Sequence, residues 1–215
     1  MNALAIWLPT YKRPHALQQV ADNIKATTKN SFTLYFGVEP EDKESLKAAL
    51  VTGHKVVINK GEMGYSNTVQ AMYEVSKEPF WFHANDDFEF LPNWDEHAIA
   101  MFERKDLMVV GAKQRAEDTD CSAICFGRRK YIQEQSGVID MPNRVFYPYH
   151  HNYQDTEFTQ TAQFRGVWVK SDRPCIEHKH PGFTGADKDE TYKKNDATVN
   201  IDEATFNSRK HLWGK

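Results

Sequence analysis

Asn85-Asp86-Asp87 sets two adjacent carboxylates directly after an apolar and aromatic run, Pro79 to Ala84, of the kind that forms a buried strand. Adjacent like charges at the mouth of a core strand are unfavourable unless a cation sits there, and no Lys or Arg lies close in sequence. One reading is a turn in which an Asx residue caps the next helix. The other is an oxygen-donor site for Mg²⁺ or Mn²⁺, which take one or two carboxylates and complete their shell with substrate phosphates and water. Further along, Asp155 in YQDTEF opens a helical pattern. As an N-cap it would satisfy backbone amides; as a general base it would take a proton from a hydroxyl. His178 and His180 in EHKHPG are hydrogen-bonding histidines or metal ligands, and strand alternation puts both on one face, so spacing does not separate them.

The elements that must position these groups alternate along the first half of the chain. Residues 3–9, 32–38, 55–58, 79–84 and 107–111 read as strands, and 14–28, 42–50, 67–76 and 92–103 as helices, the third from apolar spacing at Val69, Met72, Tyr73 and Val75. This rhythm predicts an α/β fold with a parallel sheet flanked by helices and a ligand crevice at the carboxyl ends of the strands. Pro9-Thr10-Tyr11, Glu39 and Asp86-Asp87 all fall at such ends. The second half is less regular. Residues 122–127 and 166–169 read as strands, 128–135 and 155–164 as helices, and 138–154 as an aromatic-rich loop.

Composition bounds the partners. The chain has 215 residues, 27 Lys plus Arg against 30 Asp plus Glu, and 40% hydrophobic residues, so it suits one globular domain and is not a strongly basic one. No apolar run approaches the ~20 residues of a membrane span. Cys121, Cys125 and Cys175 form no CxxC pair, which fits a reduced, cytoplasmic setting.

The ordered set of motifs resembles the GT-A fold of nucleotide-sugar glycosyltransferases, family-2-like, over roughly residues 3 to 182. LPTYKRP at 8–14 is similar to the first-strand end that opens the nucleotide pocket, which implies donor roles for Pro9, Thr10, Tyr11 and Arg13. FGVEPED supplies Glu39 for the base. NKGEMGYSNTVQAM at 59–72 looks like the turn before the third helix and brings in Asn59, Gly64 and Asn67. NDD resembles the acidic triplet, with Asp87 the metal ligand and Asp86 a sugar or ribose contact; the departure is Asn85. PNW at 92–94 resembles the Pro-x-Trp that follows it, YQDTEF the element carrying the catalytic base Asp155, and EHKHPG the metal-completing histidine, His178 by chain order.

The resemblance implies a metal-dependent inverting transferase that uses Mn²⁺ or Mg²⁺ and a UDP-sugar. It divides the single domain into a nucleotide-sugar half (1–112), an acceptor half (113–180) and a C-terminal lid or tail (181–215). Trp94, Tyr149, His151 and Tyr153 would face the acceptor, the aromatic loop being suited to stacking. Gly182 and Gly185 would let the lid close, with Arg209 meeting the diphosphate. The chain also resembles small phage-encoded enzymes that glycosylate hydroxymethylated pyrimidines in DNA, with a cell-surface glycan or lipid as the alternative acceptor. Nucleotidyl transfer is the other enzyme reading; it would want a Gly-rich loop after the first strand, and PTYKRP has no glycine. A noncatalytic sugar- or nucleotide-binding module is the third.

Overall fold

The computed structural model describes residues 3–115, 124–179 and 190–214. The strands are β1 (Leu4–Thr10), β2 (Phe32–Val38), β3 (Lys55–Ile58), β4 (Phe80–His83), β5 (Phe88–Phe90), β6 (Val109–Gln114), β7 (Cys125–Arg128) and β8 (Trp168–His178). The helices are α1 (Leu17–Thr27), α2 (Lys43–Val51), α3 (Tyr65–Val75), α4 (Glu96–Met101), α5 (Arg129–Gln135), α6 (Gln154–Phe164), α7 (Glu190–Asp196) and α8 (Val199–Arg209), and a 3₁₀ turn, Lys210–Trp213, ends the fold.

Among the described residues eight strands join one sheet in the order β3-β2-β1-β4-β7-β6-β8-β5. The β3-β2-β1-β4 half is parallel, as the alternating pattern predicts. β1 is buried on both faces, which is why LAIWLPT reads as a continuous apolar run. One core lies between the sheet and α1, α2 and α4, around Leu8, Phe36, Phe82, Phe90 and Trp94. The other lies on the opposite face, around Trp7, Met72, Trp81, Tyr131 and Phe158. Trp7 stacks on Trp81 with ring centroids 4.9 Å apart, and Trp81 lies across Gly127 of β7. A Cβ at Gly127 would stand 2.2 Å from the nearest indole carbon, so only glycine lets the two strands pair under that ring.

The second half departs from the expected parallel sheet. β7 runs antiparallel to both β4 and β6, and β5 antiparallel to β8. β5, a three-residue strand immediately after the acidic triplet, has no counterpart in the sequence reading, and β8 is much longer than the strand expected at 166–169. Pro174 and the partly exposed residues of β8 hide it from pattern analysis. Its consequence is local: the register sets His178 opposite Phe88, next to Asp87.

Among the described residues no helix is long and apolar enough to cross a membrane. Cys125 and Cys175 are buried thiols with no disulfide among the described residues; Cys121 lies outside those residues.

Candidate functional site

The site forms where β1 and β4 end side by side. Ala84 N–H donates to Trp7 O at 2.8 Å, which carries the chain straight from β4 into Asn85-Asp86-Asp87. From the β1 end, Thr10 Oγ1 donates to Asp86 Oδ2 at 2.8 Å and Arg13 Nη1 to Asp86 Oδ1 at 2.8 Å. Arg13 is presented by a turn in which Lys12 takes a left-handed φ of 55° and its N–H donates to Asp42 Oδ2. Asp42 also caps α2 through Ser45 N–H, so one buried carboxylate fixes both the helix and the turn. Arg13 is therefore the cation that the local sequence around the triplet lacks.

Asp87 has a different environment. Its Oδ2 lies 3.2 Å from His178 Nε2, accepts from the Tyr192 hydroxyl, and is 3.9 Å from Arg13 Nη1. The Tyr192 ring also lies under the Arg13 guanidinium, 4.7 Å from centroid to carbon. Lys179 N–H donates to Asp87 O at 2.9 Å and continues the β5–β8 pairing past the site. Burial works against ionisation of Asp87, yet the His178 hydrogen bond, helped by Tyr192 and Arg13, holds its carboxyl below the ordinary value. Burial pushes the Asp86 carboxyl up while Arg13 opposes it. Two adjacent carboxylates are thus kept apart in character by different partners.

Asp87 and His178 fit a divalent cation on their donor chemistry. Asp87 Oδ1 is buried and has no hydrogen-bond partner among the described residues, an acceptor left for something else. One carboxylate and one imidazole suit Mn²⁺, with phosphate and water completing the shell. No cluster of three or more His, Cys, Asp and Glu side chains able to hold a metal occurs among the described residues. His180, with Gly182 and Gly185, lies outside them.

On the acceptor side, Tyr153 takes a left-handed φ of 69° and turns the chain into α6, where Asp155 and Glu157 occupy the first turn. Asp155 Oδ1 accepts from Thr156 N–H at 2.8 Å, and burial pushes its carboxyl above the ordinary value. The loop before it reaches the acidic triplet through two rings. His151 lies edge-on to Tyr65, centroids 5.6 Å apart, and the Tyr65 hydroxyl donates to Asn85 Oδ1 at 2.9 Å while also meeting His83 Nε2. His83 is fully buried, and burial drives its pKa down to about 3, so it stays neutral. Tyr65, His83, Asp42 and Tyr192 were not singled out from the sequence, since each reads there as an ordinary helix, strand or tail residue.

Several expected contacts are corrected. Glu39 does not present a free carboxylate for a base: it accepts from Gly64 N–H (3.0 Å), Thr68 Oγ1 (2.6 Å) and Asn59 Nδ2 (3.2 Å), and so ties the β3–α3 turn. Gly64 stands at φ 134°, which L side chains rarely adopt. Asn67 is engaged by Arg144 at 2.8 Å. Trp94 is buried in the core, its Nε1 donating to Thr28 Oγ1, and its neighbour Asp95 clamps the amides of Lys29 and Asn30 at 2.8 Å each; PNWD is a structural clasp, not an acceptor platform. Tyr149 is buried with its hydroxyl on Glu157 at 2.6 Å, and Tyr153 stacks on Phe206. Arg209 cannot reach out to a diphosphate as it stands, because its guanidinium is locked between Glu157 and Asp140. Pro9 is buried in β1, and Tyr11, half-buried, follows Thr10 at the mouth. A groove of about 880 Å³ lies away from the triplet, along β3 and α3 between Lys55, Asn59, Asn67 and Arg144.

The parallel half-sheet, the acidic triplet at the end of β4 and the mixed second half have the arrangement of the GT-A fold. The solved structures it resembles include glucosyl-3-phosphoglycerate synthase from Mycobacterium tuberculosis with Mn²⁺, UDP and glucosyl-3-phosphoglycerate, at a TM-score of 0.72 and 10% identity over 97% of this chain and 80% of that one. The same enzyme with Mn²⁺, UDP-glucose and glycerol 3-phosphate gives a TM-score of 0.71 and 10% identity over 97% and 80%. With Mg²⁺ and UDP it gives 0.64 and 9% over 83% and 72%. No protein-family model matches the sequence. No curated protein matches it significantly.

Proposed function

We propose that the protein is a metal-dependent, inverting glycosyltransferase that moves a sugar from a UDP-sugar to an acceptor hydroxyl. The observation that carries this reading is the pairing of Asp87 with His178 beside the Arg13–Asp86 ion pair, at the carboxyl end of the parallel half-sheet. The fold likeness to an enzyme solved with UDP-glucose and Mn²⁺ supports the donor and the cation.

Pro9, Thr10 and Tyr11 would line the nucleotide side, and Asp86, oriented by Thr10 and Arg13, would accept from a ribose or sugar hydroxyl. Glu39 would act at one remove, by holding the turn that carries Asn59, Gly64 and Asn67. A divalent cation held by Asp87 and His178 would neutralise the diphosphate as it leaves. Asp155 would take the proton of the acceptor hydroxyl as that oxygen attacks the anomeric carbon from the face opposite the diphosphate, so configuration inverts and no covalent enzyme intermediate forms.

For the acceptor we carry forward the hydroxymethylated pyrimidine of DNA, with a glycan or lipid hydroxyl as the competing class. His151, half-buried and edge-on to Tyr65 beside the triplet, would meet it, whereas Tyr149 and Tyr153 pack on neighbouring side chains. The test is turnover of UDP-sugars with Mn²⁺ against three acceptors: hydroxymethylated DNA, glycan extract and phosphoglyceric acid, which is bound in one of the similar structures. Sugar appearing on one of them with inverted configuration supports the reading; UDP binding without transfer or hydrolysis on any of them favours a noncatalytic binding module.

A further inference from the structure

The C-terminal helix grips the acceptor-side loop at two points that bracket Asp155. Asp202 of α8 is buried, and its carboxylate accepts three consecutive backbone amides: His150 N–H at 2.9 Å, His151 N–H at 3.0 Å and Asn152 N–H at 2.8 Å. The ring Nδ1 of His150 lies 2.9 Å from the same carboxylate. Successive amides converging on one point form an anion-binding nest, and here the anion is a side chain. Burial works against the Asp202 charge, and the three amides more than offset it, so the carboxyl is held below its ordinary value.

Two turns further along α8, Arg209 makes the second attachment. Its Nε and Nη2 donate to Glu157 at 2.9 and 2.8 Å, its Nη1 and Nη2 to Asp140 at 3.0 and 2.6 Å, and its guanidinium carbon lies 3.8 Å over the Tyr147 ring. Glu157 is itself fully buried and receives the Tyr149 hydroxyl. Trp213 adds a third tie, its Nε1 donating to Thr161 Oγ1 at 3.0 Å. Asp155 therefore sits between a loop pinned three residues before it and a helical carboxylate pinned two residues after it.

We propose that α8 is a positioning brace for the acceptor side of the site, with Asp202 and Arg209 as positioning residues that hold Asp155 in place. The inference rests on the reading of Asp155 as the general base. It also assigns the tail a role opposite to that of a mobile lid: residues 199–213 are a fixed part of the framework. Neither residue touches the reacting atoms. Their work is geometric, and small displacements of a base cost rate steeply.

The experiment compares wild type with Asp202→Asn, which keeps the shape but replaces an anionic acceptor with an amide that also donates. Three quantities are read on the full chain: transfer kcat and donor KM, UDP affinity by calorimetry, and the NMR titration of the Asp155 carboxyl. We expect kcat to fall by about tenfold or more with donor KM and UDP affinity within about twofold, and the Asp155 titration to move toward its ordinary value as the loop opens. A folded variant with unchanged kcat and an unchanged Asp155 titration overturns the brace. If Asp202→Asn does not fold, Arg209→Lys, which keeps the charge and loses the two-carboxylate fork, is read the same way. If the wild type transfers no sugar, the glycosyltransferase reading fails, while the Asp155 titration still reports whether α8 positions that carboxyl.

Discussion

Arg13 Nη1 lies 2.8 Å from Asp86 Oδ1, and both side chains are largely withdrawn from solvent, at 14% and 6% exposure. This pair resolves the like-charge conflict between Asp86 and Asp87 across 73 positions of sequence. Removing one partner of such a pair leaves the other charge buried and uncompensated, at a cost of about 3–5 kcal/mol. Arg13→Ala should therefore lose stability on that scale in a denaturant titration. A loss below about 1 kcal/mol would mean that the pair is solvated and behaves as a surface bridge.

Asp87→Asn addresses the cation. The amide retains the hydrogen bond from Tyr192 but gives up the negative charge facing His178. Mn²⁺ binding in the presence of UDP should fall by about tenfold or more in calorimetry, because a hard cation depends on anionic oxygen. Full UDP-sugar turnover by the wild type in excess EDTA would remove the metal from the scheme altogether.

Asp155 gives a pH signature. Its carboxyl is raised above its ordinary value, chiefly by burial. A general base works in its ionised form, so kcat should decline, as pH falls, earlier than it would for a solvated aspartate. Asp155→Asn should lose about 10²-fold in kcat and the acid limb with it, while UDP affinity is retained. A kcat profile that keeps the same acid limb in Asp155→Asn would assign that ionisation to another group.

The parallel half of the fold was legible because its strands are short apolar runs separated by amphipathic helices, and β2 and β3 fall at the boundaries read from sequence, 32–38 and 55–58. The second half was not, because β5 owes its place to pairing with β8, and β8 to pairing with β6 and β5, rather than to pattern. FEF is too short to show alternation, and β8 holds Asp172, Arg173 and Pro174 mid-strand. The site followed the same division. Thr10, Arg13, Asp86, Asp87 and His178 were named from sequence and converge, whereas Glu39, Trp94 and Arg209 carry functional-looking side chains whose partners lie elsewhere in the chain. Asp202 gave no signal at all: a single acidic residue in a helix says nothing about three amides 50 to 52 positions away.

Tyr192 provides the last prediction. Its hydroxyl donates to Asp87 Oδ2 and its ring supports Arg13, so α7 touches Asp87 directly and Asp86 only through its partner Arg13. A cation that takes Asp87 through Oδ2 as well as the unpartnered Oδ1 has to displace that hydroxyl, and a hydrogen bond to a charged group contributes about 1.5–3 kcal/mol. Tyr192→Phe removes the competing donor and keeps the ring on Arg13. Mn²⁺ with UDP should then bind about tenfold more tightly, one such step being about 1.4 kcal/mol. Tyr192→Ala, which loses the ring as well, should not share the gain, because Arg13 loses its support beside Asp86. Weaker binding in Tyr192→Phe would reverse the assignment: the hydroxyl would then be orienting Asp87 for the cation rather than standing in its place.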